Sequence, residues 1–367
     1  MKQAFFAAIL LYAGNMVAQH RSITFENATL NSSIEKAKAA NKLLFVDCVT
    51  AWCGPCKGMS AQVFTLDSVA DFFNAHFVNL QLDMEKGEGP QAQKEFHVEA
   101  YPTYLLLNSD RKVVYRFVGG MPADTFLAKI KKGMDPSNKV AVLNERYESG
   151  ERSKELLREY IQIKLDGKET SVGQKIADEY FDMLTPKERV LPENWYLFGE
   201  NKYSMYLSNV HSRNFNYLAD HWRDFASLNG KETVENKMRH MYQQIADYCL
   251  RGWYFKDAHK NVLPYDKKEF DRYRKQIQRT EMTDKDQLLV LIDIASAAGA
   301  KDTGRITSLM VKNISRFSAD NQKIAFAYIT MFPASAIRQH PDFKQFIEAI
   351  ITSNKNENLV RFAKSLH

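Results

Sequence analysis

Two cysteines separated by two residues, Cys53 and Cys56, are the side chains of this sequence best suited to chemistry. They stand in the segment Trp-Cys-Gly-Pro-Cys-Lys, and two thiols at this spacing can close a small disulfide ring and open it again. The same spacing also supplies half of a structural zinc site, which needs four ligands, usually from a second pair. The other cysteines, Cys48 and Cys249, stand alone, and no His-x3–5-His pair supplies the missing ligands. The pattern therefore favours redox chemistry and no metal site.

The residues around this pair alternate between strand and helix patterns, and these elements must position the two thiols. The stretch 42–49 is a short apolar run with β-branched residues, typical of a strand buried on both faces. The cysteine pair follows at once and begins a helix that carries Val63 and Phe64. The predicted elements are helix 32–40, strand 42–49, this helix, strand 77–83, helix 91–96, strands 103–107 and 112–118, and helix 122–132. From the first strand onward, their order is β-α-β-α-β-β-α.

A turn-forming segment at 133–138 interrupts this pattern and predicts a domain boundary, with one domain at 20–133 and a second at 134–367. Beyond the boundary the apolar residues recur with helical spacing almost throughout. Within 140–185, two apolar stripes joined by a short turn at 166–168 predict a helical hairpin. No second copy of this hairpin recurs at a fixed period, so an irregular helical domain and a helical-repeat array both fit the pattern.

The middle of this helical region is rich in aromatic residues: Trp195, Tyr196, Phe198, Tyr203, Tyr206, Phe215, Tyr217, Trp222, Phe225, Trp253, Tyr254 and Phe255. One interpretation is a helical core that uses large side chains. The other is an aromatic groove that binds a partner protein or an unfolded chain. Further helices are predicted at 287–298, 305–317, 323–330, 343–352 and 359–366.

Composition narrows the class of protein. The chain has 367 residues, of which 45% are hydrophobic and 26% charged, as expected for a globular protein with two domains. Its net charge of +6 is spread along the sequence without a run of five basic residues, so nucleic-acid binding has no support.

Residues 1–19 have the pattern of a signal peptide: a lysine at position 2, an apolar run, and small residues that lead to a cleavage site after Ala18 or Gln19. The alternative is an N-terminal helix that packs in the core. No later apolar run reaches membrane-spanning length, so the mature protein is expected to be soluble and exported, to a bacterial periplasm.

The region from Leu43 to Ile130 resembles the thioredoxin family, through the motif that contains both cysteines, a later Pro-Thr pair and a Gly-Gly pair. The resemblance implies an α/β thioredoxin fold, a central mixed sheet flanked by helices, and an all-α domain then follows it. An insertion at 85–90 makes this region more similar to the thioredoxin-like domains of exported bacterial disulfide proteins than to small cytosolic thioredoxin.

The resemblance also implies roles for the two cysteines. Cys53 falls at the N-terminus of a helix, where unpaired backbone N–H groups and the helix dipole stabilise a thiolate, so its pKa is expected to lie below that of free cysteine. That thiolate attacks a disulfide, and Cys56, one turn further on, resolves the mixed disulfide. Pro55 suits the first turn because its fixed φ is helical and its missing donor is not needed there.

Five further site residues follow from the same resemblance: Trp52, Tyr101, Pro102, Thr103 and Asp47. The segment Tyr101-Pro102-Thr103 is similar to the family's cis-proline loop, which binds an extended substrate strand, and an ordinary trans proline is the alternative. Trp52 is expected to shield the site and to contact substrate, with simple packing as the alternative.

Asp47, six residues before Cys53, matches the family's buried acid and is expected to have a raised pKa and to relay a proton to or from Cys56. An exposed or hydrogen-bonded aspartate at the end of a strand is the alternative. Small thioredoxins place a lysine near this acid, and aligning the next strand on Asp83 puts Asn79 there. Cys48 should face the other side of the sheet as a small core residue.

The sequence as a whole thus predicts an exported thiol:disulfide oxidoreductase that reduces or isomerises disulfides of exported proteins, with an oxidase direction left open. It needs no cofactor, and the resemblance implies a membrane electron donor of the DsbD type. The alternative is a partner-binding or chaperone-like scaffold in which the helical domain is the working part.

Overall fold

The computed structural model describes residues 21–256, 261–331, 339, 341–353 and 356–366, so the predicted signal peptide at 1–19 lies outside the described residues. The chain divides into two compact units, the first ending at Tyr180 and the second beginning at Phe181. The domain limits at 133 and 134 stay a prediction.

The first unit is built on a four-stranded sheet. Its strands are β1 (Leu43–Val49), β2 (Phe77–Asp83), β3 (Thr103–Leu107) and β4 (Val113–Val118). They lie in the order β2-β1-β3-β4, with β2 parallel to β1 and with β3 antiparallel to both β1 and β4. Strand β1 lies between β2 and β3, and its residues from Leu44 to Cys48 are buried, as expected for a strand that is mostly apolar on both faces. This mixed sheet, flanked by helices, confirms the predicted thioredoxin fold.

The helices of the first unit are α1 (Leu30–Ala39), α2 (Gly54–Gln62), α3 (Asp67–His76), α4 (Gly89–Glu95), α5 (Ala123–Met134), α6 (Lys139–Glu148), α7 (Lys154–Asp166) and α8 (Thr170–Met183), the last of which continues into the second unit. The helix that begins at the cysteine pair is shorter than predicted. It ends at Gln62, Val63 is its C-cap, and α3 begins at Asp67, whose carboxylate suits a helix N-terminus. Val63 and Phe64 nevertheless keep their buried places in the core.

Side chains alternate across β1 and divide the core into two clusters. Leu44, Val46 and Cys48 pack with α1 and α4, and this cluster includes Phe96. Phe45 instead joins the aromatic cluster on the other face, which includes side chains of α2, α3 and α5. Asp47 shares the face of Phe45, which α2 covers.

The predicted hairpin is present as α7 and α8, joined by residues 167–169. Gly173 of α8 lies against Leu165, where an added Cβ would come within 2.7 Å of the leucine side chain, so the two helices approach closely. Helix α6 contacts the sheet through Asn144, whose Nδ2 donates to the carbonyl of Val113 at 2.9 Å. These contacts tie the first helices beyond the sheet to the first unit.

The second unit is helical in its described residues. Its α-helices are α9 (Pro186–Arg189), α10 (Ser204–Leu207), α11 (Arg213–Asp220), α12 (Trp222–Asn229), α13 (Lys231–Leu250), α14 (Lys267–Gln278), α15 (Lys285–Gly299), α16 (Thr303–Asn313), α17 (Ala319–Gln322), α18 (Ile324–Met331), α19 (Phe343–Ser353) and α20 (Glu357–Leu366), with 3-10 helices at Pro192–Leu197 and Ile314–Arg316. Their lengths run from 4 to 20 residues, which favours an irregular helical domain over a regular array.

Most of the aromatic residues in this unit form its core. Phe198, Tyr203, Phe215, Trp222, Phe225 and Tyr254 are buried. Their rings pack on one another, with those of Phe198 and Phe225 4.7 Å apart between centroids. About half of the surface of Trp253 is exposed. The others are partly buried: Trp195, Tyr196, Tyr206, Tyr217 and Phe255. The core interpretation therefore holds for the buried members. In the described residues, none of the helices is both long and apolar enough to cross a membrane.

Candidate active site

Cys53 and Cys56 are joined by a disulfide at the beginning of α2, with their Cα atoms 5.3 Å apart. Cys53 is the N-cap of the helix, and the backbone N–H of Cys56 donates to its Sγ at 3.1 Å. A helix N-terminus directs unpaired N–H groups and a partial positive charge at this sulfur. When the disulfide is opened, the same groups stabilise a thiolate on Cys53 in preference to Cys56, which lies inside the first turn.

The three motifs noted in the sequence meet beside this disulfide. The bond between Tyr101 and Pro102 is cis, which confirms that prediction. The backbone N–H of Gly119 donates to the carbonyl of Pro102 at 2.9 Å, and Gly119 has a φ of +98°, which favours glycine. Gly120 faces Pro55, within ordinary contact distance of where its Cβ would lie. The cysteine motif, the cis-proline loop and the Gly-Gly pair therefore form one surface.

Trp52 and Tyr101 form an aromatic rim on this surface. The side chain of Trp52 is 66% exposed, so it does not serve mainly to fill the core. Its ring meets that of Tyr101 edge-on at 5.8 Å between centroids, and its Nε1 donates to Glu85 Oε1 at 2.8 Å. The Tyr101 hydroxyl in turn accepts a hydrogen bond from Gln93 Nε2 at 2.8 Å. This geometry supports contact with substrate, which stays a prediction for both aromatic residues.

Sequence reasoning missed the role of Glu85, although it singled out the insertion that contains it. The only signal in the sequence was that the insertion at 85–90 contains an acidic residue. Nothing local in the sequence identifies the indole N–H as its partner.

Thr103, also predicted to contact substrate, is buried. Its hydroxyl donates to the carbonyl of Ala100 at 2.7 Å, and its backbone lies in the sheet between β1 and β4. This geometry supports a role in the shape of the loop before Pro102. Its assignment as a substrate contact stays a prediction.

Asp47 is a buried acid, with 1% of its surface exposed. Burial raises its pKa to about 7, against the opposing effect of a hydrogen bond from Gln81 Nε2 to Oδ2 at 2.9 Å. Its Oδ1 has no hydrogen-bond partner among the residues that the structure describes. The expectation of a buried acid with a raised pKa is confirmed. Its role as a proton relay to Cys56 stays a prediction.

The neighbour of this acid on the next strand was assigned wrongly. Gln81, and not Asn79, pairs with Asp47 in the parallel register of β1 and β2. Asn79 pairs with Phe45, and its Nδ2 donates to the carbonyl of Thr24 at 3.4 Å. Gln81 and Asn79 share a face of β2, so the alternation of the strand alone does not distinguish them.

The two remaining cysteines are buried free thiols, which confirms the prediction that Cys48 is a core residue. Burial, with a further contribution from the charge of Asp47, raises the pKa of Cys48 well above its usual value, and burial raises that of Cys249 in the same direction. Neither thiol is poised to react. Within the described ranges, no three histidine, cysteine, aspartate or glutamate residues form a group that could hold a metal ion.

Comparison with known proteins covers the same region. Residues 30–133 match the family model of a thioredoxin-like domain. Thioredoxin H4 of Arabidopsis thaliana is 35% identical over 99 residues, which are 27% of this chain and 77% of that protein. Thioredoxin H2 of the same plant is 39% identical over 77 residues, 21% of this chain, and the chain spans about half (53%) of its length.

Among solved structures, a "putative disulphide-isomerase from Bacteroides thetaiotaomicron" is 50% identical, with 32% of this chain and 98% of that chain covered and a TM-score of 0.31. The family model ends at residue 133, before α6 begins.

Proposed function

Since this chain belongs to the thioredoxin family, we propose that it is an exported thiol:disulfide oxidoreductase that reduces or isomerises disulfides of other exported proteins. The observation that carries the proposal is the Cys53–Cys56 disulfide at the N-terminus of α2, on one surface with the cis-proline loop. Export is supported by the signal-peptide pattern at 1–19.

Reduction takes place in two exchange steps. The Cys53 thiolate attacks one sulfur of a substrate disulfide, which forms a mixed disulfide and releases the other substrate sulfur as a thiolate that takes up a proton. Cys56 then loses its proton and attacks Cys53 Sγ. This step closes the Cys53–Cys56 disulfide and releases the second substrate thiol. Two electrons pass from the dithiol to the substrate, and a dithiol donor must reduce the pair again before the next cycle.

Asp47 supplies the proton acceptor that the second step needs. It lies on the face of the sheet that α2 covers, and its pKa of about 7 lets it exchange a proton at neutral pH. A carboxyl group with the ordinary pKa would hold no proton at this pH and would return none in the reverse direction.

The residues between the two cysteines support reduction of substrate disulfides as the direction of exchange. Gly-Pro is the pair found in reducing thioredoxins, and thioredoxin has a reduction potential of about −270 mV, far below that of strong periplasmic oxidants. A reductase outside the cytoplasm needs electrons from inside, so the proposal includes a membrane donor of the DsbD type. The scaffold alternative is not favoured, because half of the aromatic residues of the proposed groove are buried in the core.

Substituting Cys56 with serine tests the proposal. The variant is expected to accumulate mixed disulfides between Cys53 and its substrates, because the resolving thiol is gone. Non-reducing electrophoresis of extracts should show adducts that disappear on reduction, and the partners are then identified by mass spectrometry. The protein should be recovered in the periplasmic fraction and begin at residue 19 or 20, whereas a chain that stays in the cytoplasm and retains Met1 would contradict export.

The matched control is the double variant Cys53→Ser, Cys56→Ser, which keeps the same surface without a nucleophile. It should form no adducts. Equal adducts in both variants, or none in either, would contradict exchange through Cys53.

A further inference from the structure

The loop that leads into the cis-proline is held by the helical hairpin beyond the family region. Glu99 stands three residues before Pro102, and α8 begins at Thr170. The carboxylate of Glu99 accepts hydrogen bonds from the backbone N–H groups of Thr170, at 2.9 Å, and Ser171, at 3.1 Å. It also accepts from both of their hydroxyl groups. A side chain of the cis-proline loop thus caps the N-terminus of a helix 14 residues long.

The charge of Glu99 suits this position. Burial opposes its ionisation, but the hydrogen bonds from Ser171 and Thr170 outweigh that effect and lower its pKa. The carboxylate is therefore charged at neutral pH, and it lies at the end of α8 where the helix dipole favours a negative charge.

A second contact joins the same two segments independently. Arg116 of β4 is buried, and its Nη1 lies 2.8 Å from Glu169 Oε2, in the turn just before α8. Its Nη2 donates to the carbonyl of Phe96 at 2.9 Å, at the beginning of the loop. Lys164 of α7 contacts the same carboxylate at 3.1 Å. The beginning of the loop is thus bound through Arg116 to the residue that precedes Thr170.

Only a few residues separate these contacts from Pro102, at the surface where substrate is expected to bind. Between Glu99 and Pro102 stand only Ala100 and Tyr101, and each is bonded in turn: the Ala100 carbonyl accepts from the Thr103 hydroxyl, and the Tyr101 hydroxyl accepts from Gln93. Three residues span at most about 10 Å, so a displacement of Glu99 is transmitted directly to the proline.

We propose that the start of α8 positions the cis-proline loop for protein substrates, with Glu99 as the positioning residue. The inference rests on the proposed function and deepens it, since it assigns the α7–α8 hairpin a role at the same site. Small disulfides need only reach the sulfur of Cys53, whereas an extended protein strand must also pair with the backbone at Pro102. Loss of the contact therefore impairs protein substrates selectively.

Glu99→Gln tests the proposal in the full chain. The amide keeps the size of the side chain but loses the charge and one of the two acceptor oxygens. With the reduced protein and insulin as substrate, KM is expected to rise about tenfold with little change in kcat. The second-order rate with oxidised glutathione should stay within about twofold of wild type. A second variant, Thr170→Val with Ser171→Ala, removes the hydroxyl donors on the α8 side of this contact and should raise KM for insulin as well.

Glu95→Gln is the matched control, because Glu95 lies in the same region and pairs on the surface with Arg111. It should leave both substrates unaffected. Equal losses for insulin and glutathione, or no loss for either, would overturn the proposal while the oxidoreductase assignment stands. If the wild type reduces neither substrate, the proposed function fails instead.

Hydrogen exchange tests the contact between Glu99 and α8 without an enzyme assay. The amides of residues 98–101 and 103 should exchange about tenfold faster in Glu99→Gln than in Glu95→Gln. Equal rates in the two variants would overturn the proposal.

Discussion

Cys53→Ser should lower the rate at which the reduced protein cleaves a protein disulfide by at least about a thousandfold, the scale seen when an enzyme loses its nucleophile. A serine hydroxyl does not ionise at neutral pH and cannot form a disulfide. Exposure does not identify the attacking thiol, because Cys53 and Cys56 are 2% and 5% exposed in the disulfide form. Position does: Cys53 precedes the helix and receives its N–H groups, whereas Cys56 lies inside the first turn. The measurement is the initial rate of insulin reduction.

The control for this prediction is Cys48→Ala, which removes a buried thiol on the face of β1 opposite Asp47. It should retain wild-type activity once its stability has been checked, because Cys48 takes no part in exchange. An active Cys53→Ser protein would show that another group attacks the substrate, and the assignment of the nucleophile would be wrong.

The second large effect is on stability and depends on pH. The pKa of Asp47 is raised from 3.8 to about 7 by burial, so the folded protein holds this proton more tightly than the unfolded chain. The free energy of unfolding therefore falls as pH rises from about 4 to about 7, and the full loss of stability is present above that range. A shift of about 3 units corresponds to roughly 4 kcal/mol.

Asp47→Asn removes this cost because the amide does not ionise. At pH 8.5 the oxidised variant should be more stable than wild type by up to about 4 kcal/mol, less the cost of an amide donor left without a partner. Near pH 4 the two proteins should differ little. The measurement is urea unfolding of the full chain, with hydrogen exchange of the β1 amides to report on this unit.

Asp110→Asn is the control for this comparison, because it removes an exposed carboxylate from the turn between β3 and β4. The difference in free energy of unfolding between Asp110→Asn and wild type should not grow as pH rises from about 4 to about 8.5. If Asp47→Asn and wild type differ equally at both pH values, Asp47 is not a buried acid with a raised pKa.

The sheet was predictable because its signals are local. Strands β2 and β3 begin and end at the predicted residues, because period-two alternation marks β2 and the turn-forming residues 108–111 mark the end of β3. The break between α2 and α3 was missed, because the apolar spacing continues through Val63 and Phe64 while the backbone turns. Core packing kept those side chains in place across the break.

The contacts between segments were not predictable. Which residue of β2 pairs with Asp47 depends on register, and a one-strand pattern leaves Asn79 and Gln81 equivalent. The contact of Glu99 with α8 joins residues that are 71 and 72 positions apart, and neither segment alone indicates it. The residues of the site itself were found because the motif names them directly.

Redox equilibration of the Cys53–Cys56 pair tests the central claim most directly. The full chain is brought to equilibrium with dithiothreitol at a series of potentials, and its free thiols are alkylated and counted by mass spectrometry. We expect one two-electron transition, at about −270 mV, in which Cys53 and Cys56 change together while Cys48 and Cys249 stay reduced. A pair that stays oxidised or reduced throughout, or two cysteines that change separately, would contradict the central claim.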